Sequence, residues 1–279
     1  MALIHLSFNS QYLYGNTDVN ILLPEASYRR DPADFYLSGN KYKVLWLLHG
    51  TMGDYSEWIR KSNIELYASE RNIAVVMPSA SNSNYADWNS FAMGYNVYSY
   101  FTGELMPLIY GYFPVSDRRE DNYIAGLSMG GRGSVLFALN HPDLFHSAYS
   151  FSSVPKSLKE PDPNDFSFKR DKNLIRNFNG LEGYKASPMN LWDLCRKAVE
   201  DEVKLPEFFF ACGDKDPIAY DSFLKFREYA NNIGFKAEFF EIAAYGHEWR
   251  FWDLCLQDAL ARFFPKEDEI PLFNRQGMR

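Results

Sequence analysis

Five short apolar runs, each leading into glycine or proline, constrain this chain more than any other feature. They are 43–48 (KVLWLL) before His49-Gly50, 73–77 (IAVVM) before Pro78, 122–125 (NYIA) before Gly126, 206–211 (PEFFFA) before Cys212-Gly213, and 236–242 (KAEFFEI) towards Gly246. Runs this short, with few polar interruptions, read as strands buried on both faces, as in a parallel sheet. Helical patterns lie between them. Residues 131–140 carry Val135, Leu136, Ala138 and Leu139. Residues 249–264 align Trp252, Cys255, Leu256, Ala259 and Phe263 on one stripe, and Pro265 stops that helix. Residues 17–23 alternate and read as an earlier antiparallel strand. The expected fold class is therefore α/β, a mostly parallel sheet with helices on both faces. We expect a single domain over 1–279. Residues 155–205 read as an insertion within it, polar and proline-containing at first and helical near 190–202, forming a lid or pocket wall.

Composition removes several function classes. Apolar residues at 46% and charged residues at 23% suit a globular chain and exclude disorder, collagen and coiled coil. Lys and Arg number 29 against 36 Asp and Glu, a net charge of −7 with no basic run, so nucleic acid is not an expected partner. No run approaches the ~18 apolar residues of a membrane span. The start, MALIHLSFNSQYLYG, has no basic, apolar and small-residue leader pattern, which sets the expectation of a cytoplasmic protein. Cys195, Cys212 and Cys255 are odd in number and widely spaced; they read as buried free thiols.

Gly126-Leu127-Ser128-Met129-Gly130 matches G-x-S-x-G between a strand and a helix, the context of a nucleophile elbow. A sharp turn there lifts the serine hydroxyl clear of the sheet, and crowding leaves room only for glycine two residues to either side. A serine hydroxyl needs a base, and the base needs an orienting acid. Beyond Ser128 the histidines are His141, His146 and His247. His141 and His146 lie too close along the chain to reach over the elbow and read as structural. His247, between the last strand and the last helix, is the expected base. For the acid, Asp216 before Pro217 is preferred. Asp214 reads as a turn residue and Asp221 as a helix cap. The oxyanion donors are expected to be the N–H groups of Met129 and Thr51, with Met52 as alternative to Thr51. His49 reads as a packed loop residue. Trp58, Trp88 and Trp249 fall in loops near the site; Trp88 and Trp249, with Met52, are the expected substrate-binding residues.

These residues also resemble a known family. Leu48-His49-Gly50-Thr51-Met52-Gly53-Asp54 with Trp58 looks like the first loop of the tributyrin esterase and esterase D family of α/β-hydrolases. Met77-Pro78-Ser79-Ala80, Asn82-Ser83, Trp88 and Glu104-Leu105-Met106-Pro107 are similar to further family segments. Ile124 to Gly131, with Gly133 and His141-Pro142-Asp143-Leu144-Phe145, resembles its elbow. Cys212-Gly213-Asp214-Lys215-Asp216 resembles its acid loop, whose last aspartate is catalytic, and Gly246-His247-Glu248-Trp249 with Trp252 its histidine loop. The resemblance spans roughly 15–265 and is loose over 155–190. It implies an α/β-hydrolase fold and a serine carboxylesterase acting on short acyl esters, with no metal or organic cofactor, and it allows a homo-oligomer. Feruloyl or acetyl-sugar esterases, S-formylglutathione hydrolases and acyltransferases use the same triad and remain alternatives. Arg132 stands where the glutathione-thioester branch usually shows histidine.

Overall fold

A computed structural model of the chain describes residues 1–156 and 168–274 and the backbone of residues 277–278. Eight strands form one sheet: β1 (Ala2–Ser10), β2 (Gly15–Leu23), β3 (Val44–Leu48), β4 (Ala74–Pro78), β5 (Asn122–Leu127), β6 (Ser147–Phe151), β7 (Glu207–Gly213) and β8 (Glu238–Ile242). Their spatial order is β1-β2-β4-β3-β5-β6-β7-β8. From β4 to β8 all neighbours pair in parallel, and the β1–β2 hairpin closes the other edge antiparallel.

That order sets the site. From β3 the chain crosses to β4 on one side and later returns to β5 on the other. The crevice at the carboxyl ends of β3 and β5 is thus a topological switch point, where open α/β sheets bind ligands. Leu48 pairs with Gly126, so the segments starting at His49 and at Ser128 leave the sheet side by side.

Burial on both faces explains the unbroken apolar strands. Val44, Trp46 and Leu48 enter one core, with Leu136 and Phe137 of α1 (Met129–Asn140). Leu45 and Leu47 enter the other. Between β6 and β7 the chain makes α2 (Phe168–Asn177), α3 (Leu181–Ala186) and α4 (Leu191–Glu200). Phe223, Phe226 and Ala230 of α5 (Tyr220–Ile233) join the first core. The second is closed by α6 (Trp249–Phe263), whose Trp252, Cys255, Leu256, Ala259 and Phe263 are all buried as the stripe requires.

The sequence reading places no strand over the first ten residues. They form β1, with Ala2, Ile4, Leu6 and Phe8 packed towards the first core and Leu3, His5, Ser7 and Asn9 outward. Of the expected 155–205 insertion, residues 157–167 lie outside the described residues; α2 and α3 are additional to the one helix expected there. Among the described residues no helix is long and apolar enough to cross a membrane.

Candidate active site

At the end of β5 the backbone turns sharply through Ser128, whose φ of 50° and ψ of −116° lie in a region side chains rarely adopt. Such a residue costs on the order of 1–3 kcal/mol and persists where its surroundings dictate it. Here they do. A Cβ on Gly126 would stand 2.6 Å from the Gly130 carbonyl, and one on Gly130 would stand 2.5 Å from Leu48 O. The Ser128 N–H donates to Phe151 O at 2.8 Å, and the Arg132 N–H donates to Ser128 O at 3.1 Å. The strand–turn–helix context read from the sequence is therefore present.

Two loops at the same sheet edge reach the serine hydroxyl. Nε2 of His247 lies 3.0 Å from Ser128 Oγ, and Nδ1 lies 2.8 Å from Asp216 Oδ2. A carboxylate only accepts, so Nδ1 carries the proton and Nε2 is left to accept from the hydroxyl. The other carboxylate oxygen, Asp216 Oδ1, accepts from the N–H groups of Ile218 at 2.9 Å and Ala219 at 2.8 Å. Burial alone would raise the Asp216 carboxyl; the hydrogen bond and charge of His247, with those two amides, outweigh it and hold the group below the usual carboxylate range. The Asp216 side chain is 0% exposed and that of His247 15%, so the acid is sealed while the base meets the cleft.

The other acidic candidates fall elsewhere. Asp214 Oδ1 accepts from the Ala244 N–H at 2.7 Å, a turn role played across two loops. The expected cap at Asp221 is corrected. Ala219 is the N-cap of α5, and Asp216 Oδ1 binds the amides at that helix start. Two residues past the N-cap and already inside the helix, Asp221 does not fold back to them. His141 Nε2 meets Tyr98 OH at 2.9 Å, and His146 Nδ1 meets Ser147 Oγ at 2.7 Å; both stay off the cleft.

On the β3 side, Gly50 to Gly53 form a turn closed by the Gly53 N–H donating to Gly50 O at 3.2 Å. The Met52 N–H donates to Asn82 Oδ1 at 2.7 Å and is thereby committed. The Thr51 N–H has no acceptor among the described residues and stands beside Ser128 in the cleft wall. Met129, the first residue of α1, has the free N–H that every helix start leaves. His49 is packed, as expected. Gly50 O can only accept at its Nδ1 (2.7 Å), and the Ala80 N–H can only donate to its Nε2 (2.9 Å), so the ring is neutral with the proton on Nδ1. Burial pulls its pKa down.

The cleft over Ser128 measures about 580 Å³. Met52, Leu127, Ile218, Trp249 and Trp252 form its apolar wall, and Lys61, Lys169 and Arg170 lie on its rim. Met52 and Trp249, two of the expected substrate-binding residues, thus line the cleft that holds Ser128. Trp58 is buried behind Trp249, their rings 5.1 Å apart and nearly perpendicular, with its Nε1–H donating to Leu48 O. Trp88 is not in this cleft. Asp87–Trp88 pairs with Tyr95–Asn96, and the Trp88 Nε1–H donates to Ser83 O at 2.7 Å, which sets the ring in a separate cleft beside α2. The sequence reading also passes over Trp252 as a site residue. Its ring stands 5.0 Å from that of His247, nearly perpendicular, and its Nε1–H donates to Ser152 Oγ at 3.0 Å. Its stripe position marked it for burial only.

Cys195, Cys212 and Cys255 are free and buried, and burial raises each thiol. Among the described residues no group of three His, Cys, Asp or Glu is placed to hold a metal ion.

Comparison with known proteins agrees with this fold. Residues 10–203 match the model of the Esterase family, described as "Putative esterase". The chain is 27% identical over 267 residues to an acetyl esterase of Caldicellulosiruptor saccharolyticus, covering 93% of this chain and 97% of that protein. Among solved structures, the substrate-bound fluorophosphonate-binding serine hydrolase F of Staphylococcus aureus superposes with a TM-score of 0.79 at 29% identity, covering 95% of this chain and 99% of the other. An S-formylglutathione hydrolase from the same organism gives 0.76 at 31% identity, covering 94% and 98%. The chain therefore belongs to the Esterase family, as a serine hydrolase of the tributyrin esterase and esterase D group of α/β-hydrolases.

Proposed function

We propose that this carboxylesterase hydrolyses short-chain acyl esters through Ser128, His247 and Asp216, by way of a covalent acyl-enzyme. The observation that carries this reading is the unbroken line from Ser128 Oγ through His247 to Asp216, at 3.0 and 2.8 Å, on the wall of an open cleft. His247 Nε2 takes the hydroxyl proton as Oγ attacks the ester carbonyl. Asp216 keeps the ring in the right tautomer and balances its charge. The N–H groups of Thr51 and Met129 receive the oxyanion, where loss of one donor costs about 3 kcal/mol. The alcohol leaves with the proton from His247. Water, activated by the same imidazole, then frees the acid. Met52 and Trp249 are read as walls of the substrate site. The relative named as an acetyl esterase supports a short acyl group.

Hydrolysis of p-nitrophenyl acetate and butyrate by wild type and Ser128→Ala tests the reading. Activity on the acetate that vanishes in the variant is expected; wild-type turnover in Ser128→Ala contradicts it. The S-formylglutathione hydrolase at 31% identity favours a thioesterase as second reading. Arg132 differs from that branch's usual histidine. Its guanidinium is buried and donates to Tyr184 OH at 3.2 Å, away from the cleft wall. Turnover of S-formylglutathione above that of the p-nitrophenyl esters would favour the thioester.

A further inference from the structure

An oxyanion donor is effective when it is held in one direction before the reaction begins. The Thr51 N–H sits in a turn bounded by Gly50 and Gly53, and a glycine leaves the peptide beside it free to rotate. The turn is held from outside, by the loop that leaves β4 over residues 79–85. Ser79 Oγ accepts from the Tyr55 N–H at 3.2 Å, and the Ala80 N–H donates to His49 Nε2 at 2.9 Å. The Tyr85 hydroxyl donates to His49 O at 3.1 Å, and Asn82 Oδ1 accepts from the Met52 N–H at 2.7 Å.

Three of these bonds hold the ends of the turn, at His49 and Tyr55. The Asn82 bond holds its tip. Met52 there has a φ of 65°, in the left-handed region, and is 87% exposed, so packing does little to fix its backbone. A residue in that region persists where its surroundings dictate it. The peptide before it carries the oxyanion donor. Its carbonyl, Gly50 O, accepts from the Gly53 N–H at 3.2 Å and from His49 Nδ1 at 2.7 Å. A trans peptide sends its N–H the opposite way from its carbonyl, so the Thr51 N–H points away from those two donors. The bond from Gly53 spans Thr51 and Met52, and it lasts only while Met52 keeps its left-handed turn.

We propose that Asn82 is a positioning residue for the oxyanion hole: its side-chain carbonyl locks Met52 and thereby aims the Thr51 N–H at the oxyanion. The inference rests on the reading of Ser128 as nucleophile and of Thr51 as donor. Asn82 does not line the Ser128 cleft, so it acts through Met52 and not by touching the substrate. It is exposed, so replacing it opens no cavity in the core. The size of the effect is bounded from above. Removing an oxyanion donor outright costs about 10²–10³ in kcat. Without Asn82 the bonds from Gly53 and His49 to Gly50 O still restrain the peptide, so the loss is smaller.

The test compares Asn82→Ala and Asn82→Asp with wild type on p-nitrophenyl acetate, in ~1 M salt, where the charge added by aspartate is screened within about 3 Å. Asn82→Ala removes the acceptor, whereas Asn82→Asp keeps an oxygen where the amide carbonyl was. Acylation and deacylation both pass through an oxyanion, so the loss falls on kcat. In Asn82→Ala kcat is expected to fall about tenfold with KM within about twofold of wild type. In Asn82→Asp kcat is expected to return to within about threefold of wild type. An Asn82→Ala kcat within about twofold of wild type overturns the proposal, as does a loss carried by KM or an equal loss in both variants. Ser128→Ala separates the two claims. If it turns over as wild type does, the nucleophile is misassigned; if it is inactive while Asn82→Ala matches wild type, only the role of Asn82 falls.

Discussion

The two clefts that share α2 obey opposite rules. Along Ser128, His247 and Asp216 the polar atoms are partnered: both carboxylate oxygens of Asp216, both ring nitrogens of His247, and the N–H and C=O of Ser128. Beside Trp88 the frame is bonded but the side chains of Asn173, Arg176 and Asn179 are left open among the described residues. Proton transfer works in one geometry, so that geometry is fixed in advance. The comparison also separates two kinds of residue. A change in the bonded line is expected to disturb every ester alike, whereas a change in the open wall, off the Ser128 cleft, is expected to leave that line intact.

Ser128→Ala carries the largest expected effect on the bonded side: a fall in kcat of about 10⁴ or more on any ester, read from initial rates. Asp216→Asn comes next. It keeps the shape but offers His247 a donor where an acceptor is needed, and kcat is expected to fall by about 10³–10⁴. Asp214→Asn, whose carboxylate meets the Ala244 amide and, at 3.4 Å, Lys215, is expected to stay within a few fold. A larger loss at Asp214 than at Asp216 would break the comparison at its fixed end.

Trp252→Leu is smaller. It removes the ring that stands against His247 and the bond to Ser152 Oγ, so kcat is expected to drop by about tenfold as the imidazole gains freedom. Trp252→Phe, which keeps a ring, is expected to recover most of that loss. Equal rates in Leu and Phe variants would show that the ring does not position His247.

The smallest effect is on stability, through His49. Its folded pKa is lowered by burial, and protonating Nε2 would break the bond from Ala80. Below the ordinary histidine pKa of ~6.5 the unfolded chain therefore binds a proton that the folded chain resists, and stability falls as pH falls. His49→Gln is expected to be about 1 kcal/mol less stable at pH 8 yet to show a shallower decline towards pH 5, measured as urea midpoints. The decline does not vanish, because burial also lowers His141. An unchanged slope would assign the acid sensitivity elsewhere.

Legibility in the sequence follows the same division. Strands β3, β5 and β7 are readable because burial on both faces leaves few polar residues inside the run. The elbow is readable because the space around Gly126 and Gly130 admits no side chain, so sterics write the motif. His247 and Asp216 follow from chain order and from loops at one sheet edge. What escapes is set by contacts between distant segments. In β1 the inward Ala2, Ile4, Leu6 and Phe8 alternate with an outward but apolar Leu3, which blurs the period. Trp88 is turned from the Ser128 cleft by its pairing with Tyr95 and by a staple from Asn177 to the neighbouring Asp87, 90 residues apart along the chain. Asp221 has the composition of a cap, but Asp216 reaches the amides first.

Reaction of the protein with a fluorophosphonate probe, followed by intact mass and peptide mapping, tests the central claim most directly. The account predicts one adduct per chain, on Ser128, formed orders of magnitude more slowly in His247→Ala. An adduct on another residue, or labelling of His247→Ala at the wild-type rate, would contradict it.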